Sequence, residues 1–447
     1  MVSMNDGERT ARFNRLAVEY SRYYKGKIRT LPSVPINSLK DFSYWYTPGV
    51  SEVSMEIKRN PEESFNLTGR WNSVGIVTDG TRVLGIGNVG PEAAMPVMEG
   101  KAMLFNLLGG VNAIPLPLRV SDRDHFISVV KALEPSFGGF NLEDIESPKC
   151  FYVLKELQEK LTIPAWHDDQ LGTACIILAG LINSMRITGR KAQDTTLTLV
   201  GSGAANIAAA HLLIESGFEP KNIIMVDSKG ILDKERDDLD SLMFSNPWKY
   251  ELALITNGEN RKGTMENAIK GTDIIVSAAK AEPGTIKNEW IGEMNNDAIV
   301  FALANPLPEI WPQDAIDNGA KIVATGRGDF PNQINNSLVF PGVFRGMLDA
   351  RSRGVNFRIM VKAAQEIANF VGAPQPDRIV PSMEDWELYP QVASTVARAA
   401  VDEGFARKPD SKEGYLKTAR EIISTNRAMI EKSMDLGFIR KLPEVRE

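Results

Sequence analysis

Residues 196–230 read TLTLVGSGAANIAAAHLLIESGFEPKNIIMVDSKG. The apolar run TLTLV, the turn Gly201-Ser202-Gly203, the alanine-rich stretch from Ala204 and the second apolar run NIIMVD spell strand, tight loop, helix and strand. That order, with Asp227 closing the second strand, is the repeating unit of a doubly wound parallel sheet. The loop departs from G-x-G-x-x-G at its third position, where Asn206 stands, yet its context is right. A helix starting at Ala204 and Ala205 presents free N–H groups to a pyrophosphate, and an acid at the next strand end can bond a ribose diol. Gly201, Ser202, Gly203, Ala204, Ala205 and Asp227 are therefore the expected dinucleotide-binding residues.

Outward from this unit the alternation continues through TDIIVSAA, AIVFALANP and KIVATG, so residues 191–335 form the expected dinucleotide domain. Residues 1–190 hold a separate α/β region. It carries a hairpin signal, VGIVTDGTRVLGIG, with Asp79-Gly80 as the two-residue turn, followed by alternating strand and helix patterns. Residues 336–447 are helical throughout and are expected to pack back on the first region or to make a dimer contact.

A second glycine pattern competes. Gly85-Ile86-Gly87-Asn88-Val89-Gly90 matches the letters better, but Pro91 and Pro96 follow it and the next strand, residues 112–120, ends without an acid. It reads as a tight loop that lets backbone approach a reacting centre. PVMEGKAM is not a phosphate loop, having no Gly five residues before Gly100 and no Ser or Thr after Lys101.

The chemistry-bearing segments lie in the first region. FGGFNLEDI (137–145) and IPAWHDDQLGTA (163–174) each place acids after an apolar run: Glu143 and Asp144 in one, Asp168 and Asp169 in the other. Parallel pairing of the two runs sets these acids side by side at the carboxyl edge of one sheet, where open α/β sheets bind ligands. Alternation along a strand lets only one of Asp168 and Asp169 be a ligand. With His125, His167 and His211 the only histidines, an oxygen-ligand Mg²⁺ or Mn²⁺ site is favoured over a zinc site. His167 reads as a packed, hydrogen-bonded residue, His211 as a core or surface histidine, and Cys150 and Cys175 as reduced core thiols.

Composition leads us to expect a soluble, cytoplasmic protein. The chain has 447 residues, 43% apolar and 24% charged, with a net charge of −6 and no Lys/Arg-rich run to attract nucleic acid or an anionic membrane. The amino-terminal segment has no apolar signal-like core, and the run Ala174 to Ile182 is too short to span a bilayer.

A carboxylate-bound divalent cation beside a nicotinamide suits a 2-hydroxy acid. Chelation lowers the hydroxyl pKa, polarises the ketone left by hydride loss, and favours decarboxylation when a second carboxylate is adjacent. Such a reaction needs a base, for which a partly desolvated lysine with a depressed pKa is suited, and an acid such as tyrosine.

On YTPGVSEV, TDGTRVLGIGNVGPEAAMPVMEGKAMLF, FGGFNLEDI, IPAWHDDQLGTA, LVGSGAANIA, MVDSKG, ALANPLPEI and ATGRGDFPNQINNSLVFPGVFRG, the chain resembles malic enzymes of the shorter, prokaryote-type branch from about Tyr46 to Arg345. The resemblance implies that Tyr46 protonates the enol, that Lys101 is the base supported by Asp168, and that Glu143, Asp144 and Asp169 hold Mg²⁺ or Mn²⁺. It implies that Arg82 meets a substrate carboxylate and that Asn305 and Asn335, with Asn336 as neighbour and competitor for the latter role, contact malate and the nicotinamide end. His167 stands where some relatives differ. The implied reaction is oxidative decarboxylation of (S)-malate to pyruvate and CO₂. A malolactic variant, which retains its cofactor and releases lactate, is the nearest alternative. A non-catalytic dinucleotide sensor would not need Tyr46, Lys101 and three ligand acids, and an amino-acid dehydrogenase needs no metal cluster. NAD against NADP stays open, because Lys229 lies two residues past Asp227. The resemblance also implies that apolar helical surface such as FNRLAVEYSRYY pairs two copies into a homodimer, with Tyr46 near the subunit boundary.

Overall fold

Four apolar runs between Ser73 and His167 pair side by side in the computed structural model, which describes residues 6–83 and 85–443. β1 (Ser73–Thr78), β2 (Asn112–Pro117), β3 (Gly139–Leu142) and β4 (Ala165–His167) form a parallel sheet of order β2-β1-β3-β4. Every residue of β3 and β4 is buried, as suits strands covered by helices on both faces. Val77 lies opposite Leu142 and Leu142 opposite His167, so Thr78, Glu143 and Asp168 leave the sheet at one edge. The two acid-bearing runs are therefore neighbours, as the sequence led us to expect.

The hairpin is not formed. β1 is a central strand with β2 and β3 on its two sides, which leaves no edge for an antiparallel partner. Its residues from Val74 to Thr78 are all buried, a continuous pattern rather than the alternation of a solvated hairpin. Asp79 and Gly80 instead open a loop whose backbone returns through a single antiparallel bridge, Val83 to Gly87.

A second sheet has the order β10-β9-β8-β5-β6-β7. Its strands are β5 (Leu197–Val200), β6 (Ile223–Asp227), β7 (Gly230–Ile231), β8 (Ile274–Ser277), β9 (Ala298–Ala302) and β10 (Ala320–Thr325), parallel except for β7, which runs antiparallel to β6. The chain winds one way from β5 through β6 and the other way through β8, which makes the loop after β5 the topological switch point where ligands bind.

Helices knit the sheets together. The helical stretch Asp168–Thr188 is long and apolar enough by composition to cross a membrane, but 72% of its most apolar window is buried inside the protein. It is a core helix, and Cys175 within it and Cys150 are both free and buried. The carboxy-terminal helices Phe340–Asp349, Phe357–Phe370, Leu388–Asp402 and Lys412–Asp435 return to the first half of the chain. Phe340 packs on Phe105 with ring centroids 4.5 Å apart, and Asn183 donates to the carbonyls of Ala368 and Ile379 at 2.9 and 2.8 Å. The buried Arg345 guanidinium is matched by Asp349 at 2.7 Å and by Asn72 Oδ1 at 2.5 Å. A buried charge without such partners would be strongly destabilising.

The amino-terminal segment packs least. No residue of the Val50–Arg59 helix is buried, and Phe13, Val18, Leu31, Leu39, Tyr44 and Tyr46 are each more than half exposed.

Candidate active site

β4 ends at His167 and the chain enters a π-helical turn, Asp168–Gly172. The turn splays the paired acids. Asp168 is fully buried, with Oδ1 accepting from Trp166 Nε1 at 3.0 Å and Oδ2 lying 2.5 Å from Lys101 Nζ. Asp169 turns the other way and accepts the Asp144 N–H at 3.0 Å. Asp169 alone of the pair joins the cluster with Glu143 and Asp144, and the turn rather than strand alternation separates it from Asp168. Only glycine fits at 172, where a Cβ would stand 2.0 Å from Asp168 Oδ1.

Glu143, Asp144 and Asp169 each offer an oxygen within 4.8 Å of the others. Asp144 adopts a left-handed backbone, φ 55°, unusual outside glycine. Asn141 Nδ2 donates to Glu143 Oε2 at 2.8 Å, and Lys101 Nζ lies 2.9 Å from Glu143 Oε1. Lys101 reaches this point from the Gly90–Gly109 helix, and its ammonium sits 4.5 Å from the Phe340 ring centroid. Of the four carboxylates gathered here, two, Glu143 and Asp168, are in contact with the Lys101 ammonium. Burial, and then the charges of Asp169, Asp168 and Asp144, raise the Glu143 carboxyl well above its ordinary value against the pull of Lys101. Burial likewise raises Asp168 despite Lys101 beside it. Such crowding of hard oxygen donors fits a divalent cation of the Mg²⁺ or Mn²⁺ type.

Lys101 departs from expectation. Burial acts to lower its pKa, but Asp168 and Glu143 outweigh burial and hold the ammonium above the ordinary lysine value. The depressed pKa expected of a desolvated lysine is not found, because desolvation comes with two carboxylates in contact.

The loop after β1 is tied to this cluster. Arg82 donates its backbone N–H to the Asp144 carbonyl at 3.0 Å while its side chain is exposed. Asp79 holds Lys149 Nζ at 2.6 Å and accepts from Thr81 Oγ1 at 2.7 Å. The Asp79-Gly80 pair carries the letters of a hairpin turn, which masks this clamp in the sequence. The polar Asn141 inside an apolar strand was the available signal for a residue orienting Glu143.

The dinucleotide side follows its loop. Gly201 has φ 91°, and a Cβ there would lie 2.7 Å from the Ala278 carbonyl oxygen. The Ala204–Glu215 helix begins at Gly203 with no side-chain cap, leaving its first N–H groups available to an anion, and Gly203 has open space around it. Asp227 ends β6 but is already engaged. Its Oδ1 accepts from the Lys229 N–H at 2.8 Å and from Arg236 Nη1 at 3.1 Å, and its Oδ2 pairs with Lys249. Although burial works to raise it, hydrogen bonds from Lys249 and Arg236 hold this carboxyl below its ordinary value. Arg236 and Lys229 also push Asp238 down to about 2.

Asn305 follows β9 in a cis Asn305–Pro306 bond, against Gly326 and beside the Gly85 loop. At Gly85 that loop lies against the backbone of Asn305 and the ring of Pro306. Asn335 spends its Oδ1 on the Ser337 N–H at 2.9 Å, while Asn336 abuts Gly172 of the acid-bearing turn. Glu309, unforeseen, is a fully buried acid that accepts from Ser277 Oγ, the Ala279 N–H and the Ala304 N–H at 2.7, 2.9 and 3.1 Å, fastening the strand ends next to Asn305.

Tyr46 stands apart from the cluster, 69% exposed. His167 is fully buried, but the hydrogen bonds expected of it are not found: its two ring nitrogens have no hydrogen-bond partner among the described residues. His211 is largely buried against Phe357.

The acid-bearing turn packs against the dinucleotide helix, so the carboxylate cluster and the expected cofactor loop are neighbours. That arrangement points to a class, the NAD(P)-dependent oxidoreductases. Residues 25–122 match the malic enzyme N-terminal domain and residues 171–401 the malic enzyme NAD binding domain. The chain is 44% identical over 391 residues to the NAD-dependent malic enzyme of Geobacillus stearothermophilus, covering 87% of this chain and 80% of that one. It is 40% identical over 408 residues to the bifunctional malic/malolactic enzyme of Bacillus subtilis, covering 91% and 97%. The crystal structure of the Entamoeba histolytica malic enzyme superposes with a TM-score of 0.95 at 36% identity, over 99% of this chain and 93% of that one. The chain belongs to the malic enzyme family.

Proposed function

We propose that the protein oxidatively decarboxylates (S)-malate to pyruvate and CO₂ with reduction of NAD(P)⁺. The observation that carries this reading is Lys101 Nζ within reach of both Asp168 and the cage acid Glu143. Glu143, Asp144 and Asp169 would hold Mg²⁺ or Mn²⁺, which would polarise the C2 oxygen and stabilise the enolate. Lys101 can act as base only as the neutral amine, so its proton first passes to Asp168, in contact with it and itself raised by burial. The amine then takes the C2 hydroxyl proton as hydride leaves to the nicotinamide. Arg82 meets the substrate carboxylate, Asn305 and Asn335 orient malate and the nicotinamide end, and Tyr46 protonates C3. Malate turnover assayed with each cofactor, with and without EDTA, tests the reading. Pyruvate and reduced cofactor should appear in equal amounts and vanish with EDTA. Lactate without net reduced cofactor would replace this reading with the malolactic one.

Cofactor choice is proposed from the Asp227 network. Lys229, Arg236 and Lys249 surround Asp227 and Asp238, so the ribose acid is neutralised and most of its acceptor capacity is used. We therefore expect NADP⁺ to be accepted, its 2′-phosphate drawing on Arg236. Arg236→Gln should lower kcat/KM for NADP⁺ by about tenfold or more relative to NAD⁺, the size of one charged hydrogen bond. Equal losses with both cofactors would show that Arg236 only supports the fold.

The exposed apolar residues around Tyr46 favour a symmetric homodimer in which the partner covers the proton donor. Specific activity should fall on dilution in step with dissociation measured by sedimentation. A fully active monomer would remove this part of the proposal.

A further inference from the structure

The loop after β5 departs from the dinucleotide fingerprint at one residue, Asn206, where G-x-G-x-x-G/A calls for a small side chain that lets helix and strand pack closely. The larger side chain does not turn outward. Asn206 is 0% exposed, and its Nδ2 donates to the carbonyl oxygens of Val200 at 2.8 Å, Gly201 at 2.9 Å and, at the long limit, Val276 at 3.5 Å. Carbonyls on every side identify this atom as the nitrogen, because the amide oxygen would meet only acceptors there. The Oδ1 atom is buried without a partner among the described residues. Hydrogen bonds thus take the place of close packing in joining the Ala204–Glu215 helix to the ends of β5 and β8.

What those bonds fix is a peptide plane. Gly201 donates its N–H to the Val226 carbonyl at 2.9 Å, accepts from Asn206 on its own carbonyl, and is closed in by Ala278 where a Cβ would stand. The Gly201–Ser202 peptide is trans, so the Gly201 C=O and the Ser202 N–H point in opposite directions. Asn206 draws the carbonyl inward and thereby turns the Ser202 N–H away from the helix. That N–H has no hydrogen-bond partner among the described residues, and it is followed by Gly203, with open space around it, and by the uncapped helix start.

We infer, on the reading of residues 201–205 as the cofactor loop, that Asn206 is a positioning residue for the diphosphate of the dinucleotide. By holding the Gly201 carbonyl it aims the Ser202 N–H, together with the free N–H groups of the helix start, at the phosphate oxygens. Restoring the fingerprint letter at 206 therefore releases the carbonyl and weakens the site.

Titration of the full-length protein with NADH and NADPH, followed by their fluorescence, tests this in Asn206→Gly and Asn206→Ala, two residues the fingerprint admits. Alanine also keeps the helix, being its best former. For the reduced cofactor that the wild type binds more tightly, Kd should rise about tenfold in both variants, the scale of one or two neutral hydrogen bonds. In turnover, the cofactor KM should rise with it, while the KM for malate at saturating cofactor moves by less than about twofold. A merely loosened fold would raise both. In the wild type, hydrogen exchange across residues 201–203 should slow when the same cofactor binds, because the Ser202 N–H gains a partner. Wild-type affinity in either folded variant, parallel rises in the two KM values, or exchange across 201–203 that ignores bound cofactor removes the role of Asn206 and leaves the cofactor loop standing. A wild-type protein that binds neither NADH nor NADPH overturns the loop reading and the role of Asn206 with it.

Discussion

Asp169→Asn should reduce malate turnover by about 10³-fold or more at ordinary Mn²⁺, because a divalent cation that stabilises the enolate contributes several kcal/mol. The fold should survive. An asparagine oxygen can still accept the Asp144 N–H now received by Asp169, and removing one negative charge relieves the crowding around Glu143. Metal-free Tm should therefore hold or rise slightly. The increase in Tm on adding Mn²⁺, which reports ligand binding to the native state, should shrink or disappear. Near-normal turnover with an intact Mn²⁺ response would show that Asp169 is not a ligand and would make Asp168 the candidate.

The second large effect separates base from acid. Lys101→Ala should lose hydride transfer by about 10²–10⁴-fold, the range of a general base. It should also lose stability, on the order of 3–5 kcal/mol, because Asp168 and Glu143 are then buried facing each other without their shared cation. Tyr46→Phe should leave stability unchanged, since its side chain is exposed. That variant should still reduce NAD(P)⁺ and decarboxylate added oxaloacetate while protonating the enol slowly. An unimpaired Tyr46→Phe enzyme would falsify the role given to Tyr46, and a stable, active Lys101→Ala enzyme would remove Lys101 from the chemistry.

Much of this architecture was legible in the chain because strands buried on both faces announce themselves as apolar runs. The acids at the ends of β3 and β4 could be placed side by side without knowing any contact, since parallel pairing fixes which ends meet. The same logic failed at Asp79-Gly80. A two-residue turn signal is local, whereas the position of β1 at the centre of its sheet depends on Asn112–Pro117 and Gly139–Leu142, distant in sequence. Charge regulation was equally hidden. That Lys101 is raised rather than depressed, and that Asp227 is occupied by Arg236 and Lys249, are facts about side chains arriving from other elements. Asn335 and Asn336 show a third limit, because adjacent residues with the same side chain differ only in what the backbone turn does with them.

The carboxy-terminal helices have a consequence for how the protein is made. The Gly90–Gly109 helix that carries Lys101 is packed by Phe340 and bonded through Asn106 to Asn426, 320 residues away, and Asn72 before β1 waits for Arg345, 273 residues later. The dinucleotide sheet, by contrast, is closed by strands lying between Leu197 and Thr325. On the ribosome, the half of the chain that emerges first is therefore completed last, after the inserted sheet can already have folded. A nascent chain halted at residue 335 would carry Lys101, all four acids and the whole dinucleotide sheet. It would still lack the aromatic floor beneath the lysine, and its first sheet would show an unfilled apolar face to chaperones until the final hundred or so residues arrive.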